Sequence, residues 1–420
     1  MADIFAILGG IISSIVKVFS WVWWIAIPLA LFFVAVDLWT NYVRIKYLKS
    51  VKYKLLEIRI PANLVKTPKS MENIFSTFHA MKISVDSFKK KYIEGKVQLW
   101  LSLEMVGNGG GISFYIRTPE EFRNLVEAQI YAQYPQTEIV EVDDYVNLIS
   151  KDLPNKYYDL FGAEYQFARP SPYPIRTYEF FEEIKEEKRI DPLASIIETM
   201  SKLKSDEKIW IQILIKYPKD DWKKEADELV GKLAGKKAPQ KDESLWSWII
   251  LFFINLIKAP FVPPEWGGAP EKEAPASKVS FLTPGEKEIV DSIETKAAKL
   301  GFETVIRFLY IDKRDAFSRL NISSIMGALN QFNTQNLNSF KVHKETMTKA
   351  DPPFKAQKEF LKKRQLYNAY RLRSFRGGLK TILNTEELAT IYHFPIVAVE
   401  GPSLRRIEAK KGEPPINLPV

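Results

Sequence analysis

Side chains able to do acid, base or metal chemistry are few and scattered in this sequence. The histidines are His79, His343 and His393, far apart, with no His-x-x-x-His or His-Glu spacing that would set two ligands on one face. His79 falls on a helical stretch beside Phe78, and each of the three reads as structural. Asp143 and Asp144 are adjacent, and neighbours on a strand point to opposite faces, so the pair reads as strand-end solvation rather than a metal site. GNGGG at Gly107 to Gly111 lacks the Lys-Ser/Thr of a phosphate loop and sits between two strand-like runs, which makes it a turn. No serine occupies a Gly-x-Ser-x-Gly elbow. Cys 0 removes thiolate metal sites, iron–sulfur clusters and disulfides. The expectation is a protein that is not an enzyme and carries no cofactor or metal.

The strongest chemical signal is positive charge. Net charge is +9 with a pI of about 9.2, which favours anionic lipid or nucleic acid as partner. Lys355, Lys358, Lys362, Lys363, Arg364, Arg371, Arg373, Arg376 and Lys380 surround the single acid Glu359, with Phe360, Tyr367, Tyr370 and Phe375 interleaved. Such a helix could follow a phosphate backbone and stack bases, or lie on anionic lipid. A merely solvated charged face fits the same pattern.

These residues follow a chain organised around Val18 to Val36, in which no residue is charged. At about 1.5 Å per residue it covers roughly 28 Å, close to the hydrocarbon thickness of a bilayer. Trp21, Trp23 and Trp24 near one end and Trp39 and Tyr42 near the other are candidate interfacial anchors. Arg44, Lys46, Lys49, Lys52 and Lys54 crowd the downstream flank, which predicts a single-pass inner-membrane protein with a cytoplasmic C-terminal body. A cleaved signal is the rival, but MADIF lacks a basic n-region and VAVD is a poor cleavage site. Residues 1–17 form an amphipathic helix that could lie in the interface, pack against other copies or extend the span. Residues 37–53 form a basic juxtamembrane collar.

The body reads as α+β. A strand at Lys54 to Pro61, a helix at Ser70 to Met81, strands at Val97 to Val106 and Gly111 to Thr118, a helix from Pro119 to Tyr134 and a strand at TEIVEVDDY give a ferredoxin-like βαββαβ unit over 54–150. The order recurs over 151–350: a strand near Tyr178, a helix from Asp191, strands at Lys208 to Tyr217 and Phe302 to Ile311, a helix over AFSRLNISSIMGALNQF and a weak strand near Phe340. This second unit is interrupted by an insertion at 218–301. Its apolar block, 245–262, contains Trp246, Trp248, Phe252 and Phe253, and reads as a second membrane contact; a buried core helix has the same length. A basic helical region, 351–403, includes a capped helix from Thr385, and a Pro-rich tail, 404–420, ends the sequence.

IRIPANLVKTPKSMENIFSTFHAM, SFYIRTPEEFRNLVEAQIYAQYPQTEIVEV, ILNTEELATIYHFP and the closing PPINLP resemble a membrane-anchored, uncharacterised domain found beside, or fused ahead of, conjugation-type DNA-translocating ATPases of type IV secretion-like systems. The resemblance implies a membrane platform for a coupling ATPase. Since no Gly-Lys-Ser/Thr phosphate loop is present, that ATPase is expected as a separate chain. A homo-oligomeric scaffold is therefore expected, with Pro414, Pro415, Asn417, Leu418 and Pro419 as partner contacts. Arg44, Lys46, Lys49, Lys362, Lys363, Arg364, Arg371, Arg373, Arg376 and Lys380 are candidates for binding lipid or DNA. The alternative is a membrane-tethered nucleic-acid-binding protein acting through the basic helix itself.

Overall fold

The computed structural model describes residues 2–61, 66–85, 87–181, 191–218, 221–234, 282–375, 381–395 and 406–407. The apolar block at 245–262 and the tail from Pro414 to Pro419 lie outside them, as do Arg376 and Lys380. The first helix, α1 (Ala2–Ser50), runs without interruption through the amphipathic start, the apolar stretch and the basic collar, and Pro28 does not end it. It is long and apolar enough to cross a membrane, a property a signal sequence shares. Trp23, Trp24, Leu31, Phe32 and Phe33 are exposed along it. Thr40 and Val43, one turn apart, are buried against the body.

Two residues after α1 the chain enters a large antiparallel sheet. Its strands are β1 (Tyr53–Pro61), β2 (Trp100–Asn108), β3 (Gly111–Pro119), β4 (Glu138–Glu141), β5 (Tyr158–Phe167), β6 (Lys208–Lys216), β7 (Gly301–Lys313), β8 (Phe340–Val342), β9 (Thr381–Asn384) and β10 (Arg406–Ile407). The order is β10-β1-β3-β2-β6-β7-β5-β8, with β4 added to β1 and β9 to β7. Only the β1–β10 contact is parallel among these pairs. β2 and β6 pair in register from Trp100↔Lys216 to Asn108↔Lys208, so the regions expected as two domains share one continuous sheet.

Two sequence expectations change. The strand expected near Tyr178 is a 3-10 turn, Tyr178–Phe180, with Phe180 exposed. The pairing strand is β5, twenty residues earlier, where Asp159, Gly162 and Glu164 interrupt the apolar alternation that marks strands elsewhere. The helix expected to begin at Pro119 starts later. Thr118 and Pro119 stay in β3, a 3-10 turn covers Glu120–Phe122, and α3 (Arg123–Gln133) follows. The hairpin expected at Gly107 to Gly111 is present: Asn108 pairs with Gly111, and Gly109 and Gly110 both take positive φ.

Helices cover both faces. On one lie α2 (Pro68–Phe78), α3, α4 (Ala194–Ser201), α7 (Arg319–Leu329) and α9 (Thr385–Ile391), over a core that includes Ile74, Phe75, Leu103, Ile213, Phe308 and Ile325. α2 packs on α9 and α3, and α4 on α7. The opposite face carries α8 (Lys355–Arg371), whose Leu366, Tyr367 and Tyr370 pack with Leu160, Trp210, Leu309 and Tyr145. α8 comes close to β5 at Gly162, where an added Cβ would lie 2.8 Å from Leu366 Cδ2. Within the insertion, α5 (Asp221–Leu233) and α6 (Pro284–Ala298) pack on each other, and α6 begins with a Thr283–Glu286 capping box.

Candidate functional site: a polar ladder under the basic helix

Residues on one sheet face recur every second position, and the register sets particular neighbours side by side. Glu104 of β2 faces Gln212 of β6, Gln212 faces Arg307 of β7, and Arg307 faces Glu164 of β5. All four are buried. They bond in sequence: Gln212 Nε2 donates to Glu104 Oε1 (3.1 Å), Arg307 Nη1 to Gln212 Oε1 (3.1 Å), and Arg307 Nε to Glu164 Oε1 (2.6 Å).

α8 and the turn before β5 close this ladder. Arg373, just beyond α8, donates from Nε and Nη2 to the two oxygens of Glu104 (2.9 and 3.1 Å) and from Nη2 to Asp144 Oδ1 (2.8 Å). Tyr145 donates to Glu104 Oε2 (2.8 Å) and its hydroxyl also meets that of Tyr370 (2.7 Å). Gln212 Nε2 reaches the Tyr370 carbonyl, and Arg307 Nη2 the Ser374 carbonyl (2.6 Å). Arg373 has positive φ, 46°, a conformation that only a well-fixed side chain would hold in a non-glycine residue. Glu164 Oε2 is buried without a hydrogen-bond partner among the described residues.

Burial by itself would raise the Glu104 carboxyl above its ordinary range, but the Arg373 guanidinium, Ser102 and Tyr145 outweigh it and hold it below. Burial also works against the Arg373 charge, and the Glu104 carboxylate overcomes it, raising that guanidinium further above its ordinary value. The Tyr145 and Tyr370 hydroxyls are driven well above theirs, first by burial and then by the Glu104 charge. The arrangement therefore holds fixed charges and neutral phenols. It is suited to clamping α8 and the Asp144–Tyr145 turn onto the sheet, not to trading protons near neutral pH.

This geometry corrects the expectation for Arg373 as a lipid- or DNA-binding residue: it is buried, 1% exposed, and engaged by two carboxylates. Tyr367, Tyr370 and Phe375, expected to stack on bases, are likewise buried, because α8 needs an apolar face to sit on the sheet. Lys363 bonds Asp159 (2.7 Å), Arg364 bonds Asp152 (3.1 Å), and Lys362 donates to the carbonyls of Lys344 and Lys349. Arg371 lies over the Tyr367 ring. Lys46 and Lys49 are exposed on α1, and Arg44 half-buried. Trp39 is exposed on the same helix; the side chain of Trp21 is outside the described set.

A second buried group joins the helices on the other face. Lys296 of α6 meets Glu387 of α9 at 2.9 Å, both fully enclosed. Burial lowers the Lys296 ammonium and raises the Glu387 carboxyl, each shift only partly offset by the other partner. Lys299 binds Glu386 and Glu72, and Tyr178 donates to Glu72 Oε2 (2.6 Å). A cleft of about 540 Å³ lies beside this group, lined by Ile175, Phe180, Asp291, Thr295, Lys296 and Glu386 among others. The three histidines stay apart. His79 packs on Tyr217 and Phe302, His343 lies near Glu345, and His393 sits between the Ala389 carbonyl (2.7 Å) and Asp191 (3.0 Å). Among the described residues, no group of three or more His, Asp or Glu side chains is placed to hold a metal ion.

No sequence motif announces the ladder, although a signal existed: LSLEMV, IQILI, VIRFLY and GAEYQF each carry at least one charged or amide side chain among apolar neighbours. A buried charge in such a place needs a partner, and only the strand register says which. A family profile described as a domain of unknown function, DUF8128, matches residues 54–405, from the second residue of β1 to the residue before β10. No curated protein matches the chain. Because the matched stretch carries the sheet, its helices and the ladder, and spans most of the sequence, the chain belongs to the DUF8128 family, whose function is unknown.

Proposed function

We propose that this protein is a membrane-anchored cytoplasmic scaffold of a type IV secretion or conjugation-like DNA-translocation system, to which a separate coupling ATPase is recruited. The observation that carries the platform reading is the joint between helix and body. α1 enters β1 after two residues and is packed on the body through Thr40 and Val43, so a force or orientation set in the membrane passes to a ten-stranded sheet without a flexible linker. The strand orders β4-β1-β3-β2 and β6-β7-β5-β8 support reading the sheet as two ferredoxin-like units fused along β2 and β6. The DNA-translocation context comes from the sequence resemblance. Homo-oligomerisation through copies of α1, and contact of the Pro-rich tail with the ATPase, belong to the same reading.

A tagged full-length chain, solubilised from native membranes in detergent, is expected to retain a phosphate-loop ATPase. The same chain ending before Leu404 is expected to lose it. Recovery of nuclease-sensitive nucleic acid by both baits, with no ATPase on either, would refute the scaffold and favour direct nucleic-acid binding. The inward orientation of Tyr367, Tyr370 and Phe375 already weakens that alternative, because base stacking requires exposed rings.

A further inference from the structure

The segment Ser87 to Lys96 packs against α1 where the apolar stretch ends. Trp39 Nε1 donates to the Tyr92 carbonyl at 2.8 Å. Gly95, with φ +65°, comes so near α1 that an added Cβ would lie 2.4 Å from the Val43 carbonyl carbon and oxygen. Tyr92 belongs to a single π-helical turn, Lys89–Ile93, which ends two residues before Gly95. This segment exposes two large apolar side chains, Phe88 at 73% and Ile93 at 62%. Phe88 is braced on the Tyr92 ring at 4.6 Å. Around them stand Lys89, Lys90, Lys91 and Lys96 against the acid Glu94. Lys89 is 73% exposed, and Lys91 lies over the Tyr92 ring.

We propose that Ser87 to Lys96 is a second membrane-binding element, which inserts Phe88 and Ile93 into the interface of an anionic bilayer and sets Lys89, Lys90 and Lys91 on its headgroups. Height and composition carry the assignment. Trp39 stands three residues beyond Val36, roughly 4.5 Å along a helix, so the turn clamped to it lies at headgroup level when α1 spans the bilayer. Exposed apolar side chains ringed by lysines match that layer, where rings and alkyl groups leave water while ammonium groups meet phosphate. The element gives α1 a partner a fixed distance away, and two contacts with a plane resist tilting where one helix alone would not. The site rests on the reading of α1 as a span.

The test uses the full-length chain, which has Cys 0, so each introduced cysteine is unique. Ser87→Cys, Leu31→Cys and Tyr157→Cys, each carrying a fluorophore, are reconstituted in nanodiscs containing nitroxide-bearing lipid. One set of discs contains phosphatidylglycerol and the other only phosphatidylcholine. Tyr157 is exposed and precedes β5, whose start pairs with the end of β7, across the sheet from the α1 junction. The expected result is quenching at positions 31 and 87 but not 157, with position 87 quenched more strongly in anionic discs. Adding Lys89→Gln, Lys90→Gln and Lys91→Gln should weaken the docked state by roughly fivefold per lysine, and Phe88→Ser with Ile93→Ser should reduce quenching at 87 alone. Quenching at 31 with none at 87 overturns this inference and leaves the anchor standing. No quenching at 31 overturns both. A label at 87 shielded from lipid but self-quenched as copies per disc increase would mean that another copy covers the turn, which also overturns it.

Discussion

Arg373 carries its charge where water cannot solvate it, and its two hydrogen bonds to Glu104 and its bonds to Asp144 act as one buried cluster. Removing one member leaves the other charge stranded, so Glu104→Gln should lower the stability of the full chain in detergent by roughly 3–5 kcal/mol near neutral pH. The sign of its pH dependence follows from the depressed Glu104 carboxyl. The unfolded chain binds that proton more readily than the folded one. The stabilisation is therefore present above the ordinary carboxylate value of 4.5 and fades as pH falls through the lower folded value. Denaturant midpoints of wild type and Glu104→Gln should converge towards acid pH, since the protonated wild-type side chain is then uncharged too. A gap that stays constant with pH would show that the carboxylate charge is not what holds α8 down.

At the scale of elements, the joint between α1 and the body depends on Gly95. Its φ of +65° costs an L side chain roughly 1–2 kcal/mol, and the Val43 backbone leaves no space for a Cβ. Gly95→Ala should push the Lys89–Ile93 turn off α1 and speed tryptic cleavage at Lys89, Lys90 and Lys91. Gly285→Ala, where a Cβ meets nothing within 4 Å, serves as the control and should leave that cleavage unchanged. Equal cleavage in the two variants would mean that the turn is not held by this contact. The basic helix is instructive at the same scale. Its charges suggested a surface for phosphate, yet α8 is held down by an inward face of Leu366, Tyr367 and Tyr370, and several of its cations are engaged by Asp152, Asp159 and backbone carbonyls.

Across the whole molecule, the nine-residue pairing of β2 with β6 and the packing of α9 on α2 tie early and late parts of the sequence together. The full chain in detergent should then lose its sheet in one cooperative transition. Leu103→Ala, at the seam, should move that entire transition by roughly 2–5 kcal/mol, whereas two separable transitions would indicate halves that fold independently. The sequence by itself determined the elements whose signals are local. The apolar run that makes α1 long enough to cross a bilayer, the glycine hairpin after β2, the Thr283 cap of α6 and the alternating strands β1, β3 and β6 all follow from neighbours a few residues apart. β5 was not legible, because its glycine and acids make sense only beside β7 and α8. Only the tertiary structure decided that Glu104, Gln212, Arg307 and Glu164 form one row, that Arg373 turns inward to meet it, and that the segment carrying Phe88 and Ile93 is tied to Trp39 through the Tyr92 carbonyl. The physical reason is the same in each case: a buried charge or an exposed ring takes its meaning from residues tens to hundreds of positions away, and strand register and helix docking choose those partners.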